Sequence, residues 1–166
     1  MKKGVSASVL IKVMREQLEA YKELLHLAEE KSDVLIQADV KLLGEITEIE
    51  QNLILKLGKL EEERIKLIEQ IAKAYNKEAS KVKADFYKSI LNKEEAKAFS
   101  AIYDELRTVL PEIEVKNRRN EKMIKNALDY IDYSIKLLTD AGETKANYGA
   151  DGSNAQKAFH IIDKKA

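Results

Sequence analysis

The residues best suited to metal chemistry are Glu23 and His26, which stand in the order Glu-x-x-His within Glu23-Leu24-Leu25-His26. On a helix that spacing puts a carboxylate and an imidazole on one face, as in carboxylate-bridged di-iron bundles. Such a centre needs a second Glu-x-x-His and two further helical carboxylates. The other histidine is His160, far along the chain in a polar segment. The sequence therefore points away from a metal or any other cofactor, and His26 reads as a helix-surface or boundary residue. There is no cysteine, which excludes thiolate ligands, disulfides and a thiol nucleophile. No glycine-rich phosphate loop and no Ser/His/Asp set is present either. The residues predict a protein that binds rather than an enzyme.

Three other groups of residues could make contacts. The basic run Lys116, Arg118, Arg119, Lys122 and Lys125 could touch phosphates, but Glu112, Glu114 and Glu121 interrupt it, so a solvated helix face is expected. The whole chain balances 29 basic against 29 acidic residues. That balance gives no bulk attraction to nucleic acid or to an anionic membrane. The second group is polar: Asn117 and Asn120 interrupt an apolar seam, where an asparagine commonly fixes the register of packed helices. The third is apolar: Ile124, Leu128, Ile131, Ile135 and Leu138 repeat at steps of three and four. A glycine-punctuated stretch follows, Asn147-Tyr148-Gly149-Ala150-Asp151-Gly152-Ser153-Asn154, and beyond it Phe159, Ile161 and Ile162 stand as isolated apolar residues. Such residues in a polar tail fit a segment that orders when it meets a partner.

The elements that must position these groups are helices. Charged residues make up 35 % of the chain, with a single proline and few aromatics, the composition of long helices. The spacing predicts a first helix over about 8–37, with a coiled-coil-type seam of Ile11, Met14, Leu18, Tyr21, Leu25, Ala28, Ser32 and Leu35. Asp39 is placed to cap a second helix over about 40–77, whose stripe is Leu42, Ile46, Ile49, Leu53, Leu57, Leu60, Leu67, Ile71 and Tyr75. The short gap between the two requires antiparallel packing. A connector with a short helix within 81–91 brings Phe86, Tyr87 and Ile90 over the end of the bundle. Asn92 and Glu95 form a capping box and open a third helix over about 93–140. Its seam runs through Phe99, Ile102, Leu106, Val109 and Ile113, and Pro111 lies opposite the seam, where a bend convex to solvent is expected.

The expected fold is all-α: an elongated antiparallel three-helix bundle or coiled coil forming one domain over 1–140, with a flexible C-terminal tail over 141–166. At about 1.5 Å per residue the third helix is the longest, and its last turns are expected to outrun the hairpin. An exposed apolar stripe is usually an interaction site. No signal-peptide core follows the basic start, and no run of apolar residues is long enough for a membrane span. A cytoplasmic protein without direct membrane insertion is expected. A structural or adaptor coiled coil that forms a homo-oligomer would use the same features.

Three features together resemble the FlgN-type flagellar export chaperones. They are the hairpin with its break at Ala38-Asp39 and the run Leu60-Glu61-Glu62-Glu63-Arg64, the Asn117-Arg118-Arg119-Asn120 element ahead of an amphipathic segment, and Tyr148-Gly149-Ala150-Asp151-Gly152. The resemblance implies a cytoplasmic chaperone that binds hook-associated proteins, prevents their premature assembly and delivers them to the flagellar type III export apparatus. It also implies that the client sits on Ile124, Leu128, Ile131, Ile135 and Leu138. Tyr148, with Gly149 beside it, is then the candidate contact with the cytoplasmic domain of the export gate, and Phe159, Ile161 and Ile162 are tail contacts.

Overall fold

A computed structural model describes the backbone of residues 3–148 and the side chains of residues 7–141. The described residues form α1 (Lys3–Gln37), α2 (Val40–Ala74), a 3-10 turn (Ala79–Lys81), α3 (Ala84–Ser89) and α4 (Lys93–Tyr148), with no strand. The chain divides into two compact units, Met1–Glu121 and Lys122–Ala166. The boundary thus falls inside α4, not near residue 140 where the sequence places the end of its single domain.

Local chemistry fixes the helix ends. Ala38 adopts a left-handed conformation with φ 56°. Its N–H donates to the Leu35 carbonyl (3.3 Å), and the Asp39 N–H donates to that of Val34 (3.2 Å). This is a Schellman closure. The Asp39 carboxylate then accepts from the Leu42 N–H at 3.0 Å and starts α2. The far end of α2 repeats the device: Asn76 has φ 53°, and the N–H groups of Asn76 and Lys77 donate to Lys73 and Ala72. Asn92 and Glu95 form the expected capping box, with bonds of 2.9 and 3.2 Å in the two directions.

Within the first unit α1 and α2 run antiparallel. Gln17 reaches Glu61 and Lys31 pairs with Glu50, so residue numbers rise on one helix as they fall on the other. The N-terminal part of α4 runs parallel to α1, because Lys22 meets Glu105 (2.6 Å), Glu29 meets Lys116 (3.3 Å) and Ser32 meets Asn120 (2.5 Å). One core joins Leu10, Met14 and Leu18 of α1 to Leu60, Leu67 and Ile71 of α2, Tyr87 of α3, and Phe99, Ile102 and Val109 of α4. Phe86 and Ile90 pack against this core as expected, with Phe86 edge-on to both Tyr75 and Tyr87. A second core of Ala20, Leu27, Val34, Ile46, Leu53 and Leu57 comes from α1 and α2 alone.

Several boundaries and positions differ from the sequence reading. α1 begins at Lys3, earlier than residue 8, and Ala7 is already buried. α2 ends at Ala74 rather than near 77. α4 passes through Gly142 and ends at Tyr148, beyond the expected stop near 140. One interior glycine costs only about 1 kcal/mol relative to alanine, and Glu143, Lys145 and Ala146 after it favour helix. Leu42 and Ile49, expected in the α2 stripe, are exposed; the core at that level is two-sided, so one flank of the stripe has no helix over it. Pro111 lies inside α4 and is exposed, as is Arg107, the residue four positions back. The proline therefore removes a hydrogen bond on the solvent side and does not end the helix.

Candidate partner-binding surface

The candidate catalytic and phosphate groups resolve into ordinary helix surface. His26 is exposed, with Nδ1 3.5 Å from the Glu30 carboxylate. Lys116 pairs with Glu29, and Arg118 with Glu114 at 3.2 Å. Among the described residues no three His, Asp or Glu side chains are grouped to hold a metal ion.

The two asparagines separate. Asn120 is buried, and its amide donates to the Ala28 carbonyl at 2.7 Å. Its Oδ1 faces the Ser32 hydroxyl at 2.5 Å, and that hydroxyl also lies 3.2 Å from the Ala28 carbonyl. This node locks α4 to α1 at one register, because a shift by one turn would bury an amide without partners. Asn117 is exposed. Residues three apart differ by about 60° around a helix axis, and that is enough to put one asparagine in the seam and the other in water.

A second polar node, unforeseen in the sequence, lies between α1 and α2. The buried Gln17 amide donates to Glu61 at 2.9 Å, and Arg64 grips both Glu61 oxygens at 2.8 and 2.6 Å. The Arg64 guanidinium, with help from Gln17 and against the effect of burial, holds the Glu61 carboxyl below the usual carboxylate range. Burial first, and Glu61 second, pushes the Tyr21 phenol up. Among the described residues no buried side-chain nitrogen or oxygen lacks a hydrogen-bond partner. The first unit is thus a satisfied scaffold.

Exposed apolar side chains occur in both units, with Ile36, Val40, Ile54, Leu55 and Val115 among those of the first, and in the second they cluster along one stretch of α4. Ile124, Leu128, Ile131, Ile135 and Leu138 are 36, 56, 50, 57 and 75 % exposed. At about 100° per residue they fall within about 40° either side of Ile124 on the helix, so they form one straight stripe. Tyr130, Tyr133 and Leu137, also exposed, form a second face about 120–180° away. Met123, Ala127 and Ser134 fill the arc between the two faces. The Ser134 hydroxyl donates to the Tyr130 carbonyl at 2.8 Å, and that of Thr139 to Ile135 at 2.5 Å. Both hydroxyls are therefore satisfied within the helix and would not be stranded under a covering partner. Lys125, Asp129, Asp132, Lys136 and Asp140 occupy the remaining polar arc. Apolar side chains thus occur on two faces of the helix, with Ser134 between them and Asn126 within the second, and such a helix is suited to burial on more than one side.

The first stripe is legible in the sequence as a seam, and the second is not. A three-four template follows one seam at a time, and Tyr130, Tyr133 and Leu137 lie off the seam that starts at Ile124. Tyrosine enrichment on an exposed helix was the available signal. The backbone of Tyr148 ends α4; Gly149, Phe159, Ile161 and Ile162 lie outside the described residues.

Together these features define an all-α protein: a polar-locked helical scaffold and a long helix whose later part presents broad apolar faces. The model of the FlgN protein family matches residues 1–156. The chain belongs to the FlgN family, whose members are flagellar export chaperones that bind hook-associated proteins. No curated protein and no solved structure matches it. No helix among the described residues is long and apolar enough to cross a membrane.

Proposed function

We propose that the chain is a cytoplasmic export chaperone for proteins of the hook–filament junction. It holds them in an unassembled state and delivers them to the flagellar type III export apparatus. The client-binding surface is the stripe Ile124, Leu128, Ile131, Ile135 and Leu138, and the observation that carries this reading is its exposure on a helix that continues from a satisfied scaffold. Tyr148 and Gly149 are the proposed contact with the cytoplasmic domain of the export gate.

The magnitudes favour a client that uses both faces. Fully burying a leucine or isoleucine side chain contributes about 1.5–3 kcal/mol. The stripe residues are on average roughly half exposed, so the five together contribute about 4–8 kcal/mol. Association and ordering cost about 4–15 kcal/mol. The stripe alone therefore holds a client weakly, and the Tyr130, Tyr133 and Leu137 face supplies the remainder. Two amphipathic client helices, one on each face, fit this geometry; the paired terminal helices of a hook-associated protein are such a ligand.

Calorimetric titration of the purified chain with candidate hook-associated proteins tests the reading. One-to-one binding that falls at least tenfold in a Leu128→Ser, Ile131→Ser, Ile135→Ser variant is expected. Unchanged binding in that variant overturns the site. A stable oligomer that binds no hook-associated protein supports the homo-oligomeric coiled coil instead. Tyr148→Ala is expected to impair secretion while client affinity stays near wild type.

A further inference from the structure

The stripe on the later part of α4 is complementary to a second copy of itself. We propose that two chains pair antiparallel through residues 124–135, and that this reversible dimer covers the stripe until a client displaces one copy.

The spacing of the stripe sets the possible layers. Its steps of four and three place the apolar residues at the two core positions of a heptad. In one antiparallel register Ile124 lies opposite Ile135 of the second copy, and Leu128 lies opposite Ile131. The two-fold axis repeats both layers, so a continuous run of isoleucine and leucine is buried over about 17 Å of helix. These four side chains are between 36 and 57 % exposed in the single chain. The charges at the edge of the stripe choose this register over its neighbours. Lys125 and Asp132 stand on one edge, seven residues apart. In this register Lys125 lies beside Asp132 of the second copy, and the axis makes that pair twice. Sliding one helix by a heptad sets Asp132 against Asp132 in one direction and Lys125 against Lys125 in the other. A parallel pairing sets Asp132 against Ala127 and gives neither charge an opposite. Among the described residues neither Lys125 nor Asp132 forms an ion pair within its own chain, whereas Lys116 pairs with Glu29 and Arg118 with Glu114 on the preceding turns. The other edge carries Ala127 and Ser134, small enough for close approach, and the Ser134 hydroxyl is already bonded to the Tyr130 carbonyl.

The pairing is weak by construction, which is what a displaceable cover requires. It engages about 12 residues of each copy, against roughly 20–30 a side in a stable interface. Its ion pairs are exposed, so they favour the register more than they tighten the dimer, and salt weakens them. The dissociation constant should lie at tens to hundreds of micromolar. A client that binds the stripe more tightly than that converts the dimer to single chains by mass action. This displacement rests on the client site proposed above; the pairing of two copies does not.

Sedimentation equilibrium of the full-length chain tests the pairing. A reversible monomer–dimer equilibrium is expected, and a chain that stays monomeric up to about 1 mM overturns the proposal. Lys125→Glu and Asp132→Lys each turn two attractive pairs into two repulsive ones, so each variant alone should dimerise about 5- to 30-fold more weakly. Mixing the two variants should restore dimerisation to near the wild-type level, because a mixed pair regains both ion pairs. Both positions are exposed, so the variants should keep the wild-type circular dichroism. Single variants that dimerise as wild type, or a mixture that stays monomeric, overturn the antiparallel register. Dimerisation that survives Leu128→Ser with Ile131→Ser places the interface elsewhere and overturns the proposal as well. With a hook-associated protein added, the dimer should give way to a one-to-one complex. A complex that retains two copies of the chain overturns the displacement, whatever the sedimentation of the chain alone has shown.

Discussion

Asn120 is the residue on which the placement of α4 against α1 most depends. Asn120→Ala removes the 2.7 Å bond to the Ala28 carbonyl and the acceptor 2.5 Å from the Ser32 hydroxyl. Neutral hydrogen bonds contribute about 0.5–1.5 kcal/mol each. The Ser32 hydroxyl recovers part of its loss by turning to Ala28, which it already approaches at 3.2 Å. The space left by the side chain adds a cavity term. The net destabilisation should be about 1.5–3 kcal/mol. Ser32→Ala should cost about 1 kcal/mol, because the Asn120 Oδ1 is left as a buried acceptor without a donor. The double variant should show a coupling of about 0.5–1.5 kcal/mol, as expected for groups in direct contact. Asn120→Asp extends the argument. Its carboxylate would face the Ala28 carbonyl in a buried site, which raises its pKa in the folded state. A group raised on folding contributes its stability below the unfolded value of about 3.9 and loses it as pH rises. The Asp variant should therefore be near wild type at pH 3–4 and worse than the Ala variant at pH 7. Urea unfolding followed by circular dichroism measures all of these. A loss under about 0.5 kcal/mol for Asn120→Ala, with no coupling to Ser32, would refute the register argument.

Two further changes follow from the same scaffold. Ala38→Gly relieves a left-handed alanine, which costs about 1–2 kcal/mol, against an entropy cost for glycine of about 0.5–1 kcal/mol. A gain of about 0.5–1 kcal/mol, or about 1–4 °C in Tm, is expected by calorimetry, and no gain would show that the turn is not strained. Glu61 is held below the usual carboxylate range by Arg64, so its contribution is present above the unfolded pKa of about 4.3 and is lost as pH falls through the lower folded value. Glu61→Gln should destabilise at pH 7, and its deficit against wild type should narrow below about pH 4. A constant deficit from pH 7 to 3 would contradict the ion pair's role.

What the sequence made legible was local. Asp39 and the Asn92–Glu95 box act on amides three positions away, so their chemistry is complete in the sequence itself. The Phe99–Ile113 seam is readable for a similar reason: burial follows helical period wherever a neighbouring helix is present. Leu42 and Ile49 follow the period equally well but lack that neighbour, and a one-dimensional pattern does not carry this information. Asn117 and Asn120 could not be ranked because the choice is made by Ala28 and Ser32 on another helix. The Gln17–Glu61–Arg64 node was invisible for the same reason. On the candidate surface the first stripe was legible as a heptad seam. The tyrosine face was not, because it comes into view only once the helix is known to leave both sides uncovered.

The central claim is that the later part of α4 is the client surface. Hydrogen–deuterium exchange on the full-length chain, with and without a purified hook-associated protein, tests it most directly. Amides across residues 124–138 are expected to gain protection on binding, while those of the Leu10–Leu18 and Leu60–Ile71 core change little. Protection that appears on α1 and α2 and leaves residues 124–138 exchanging as in the free protein would contradict it.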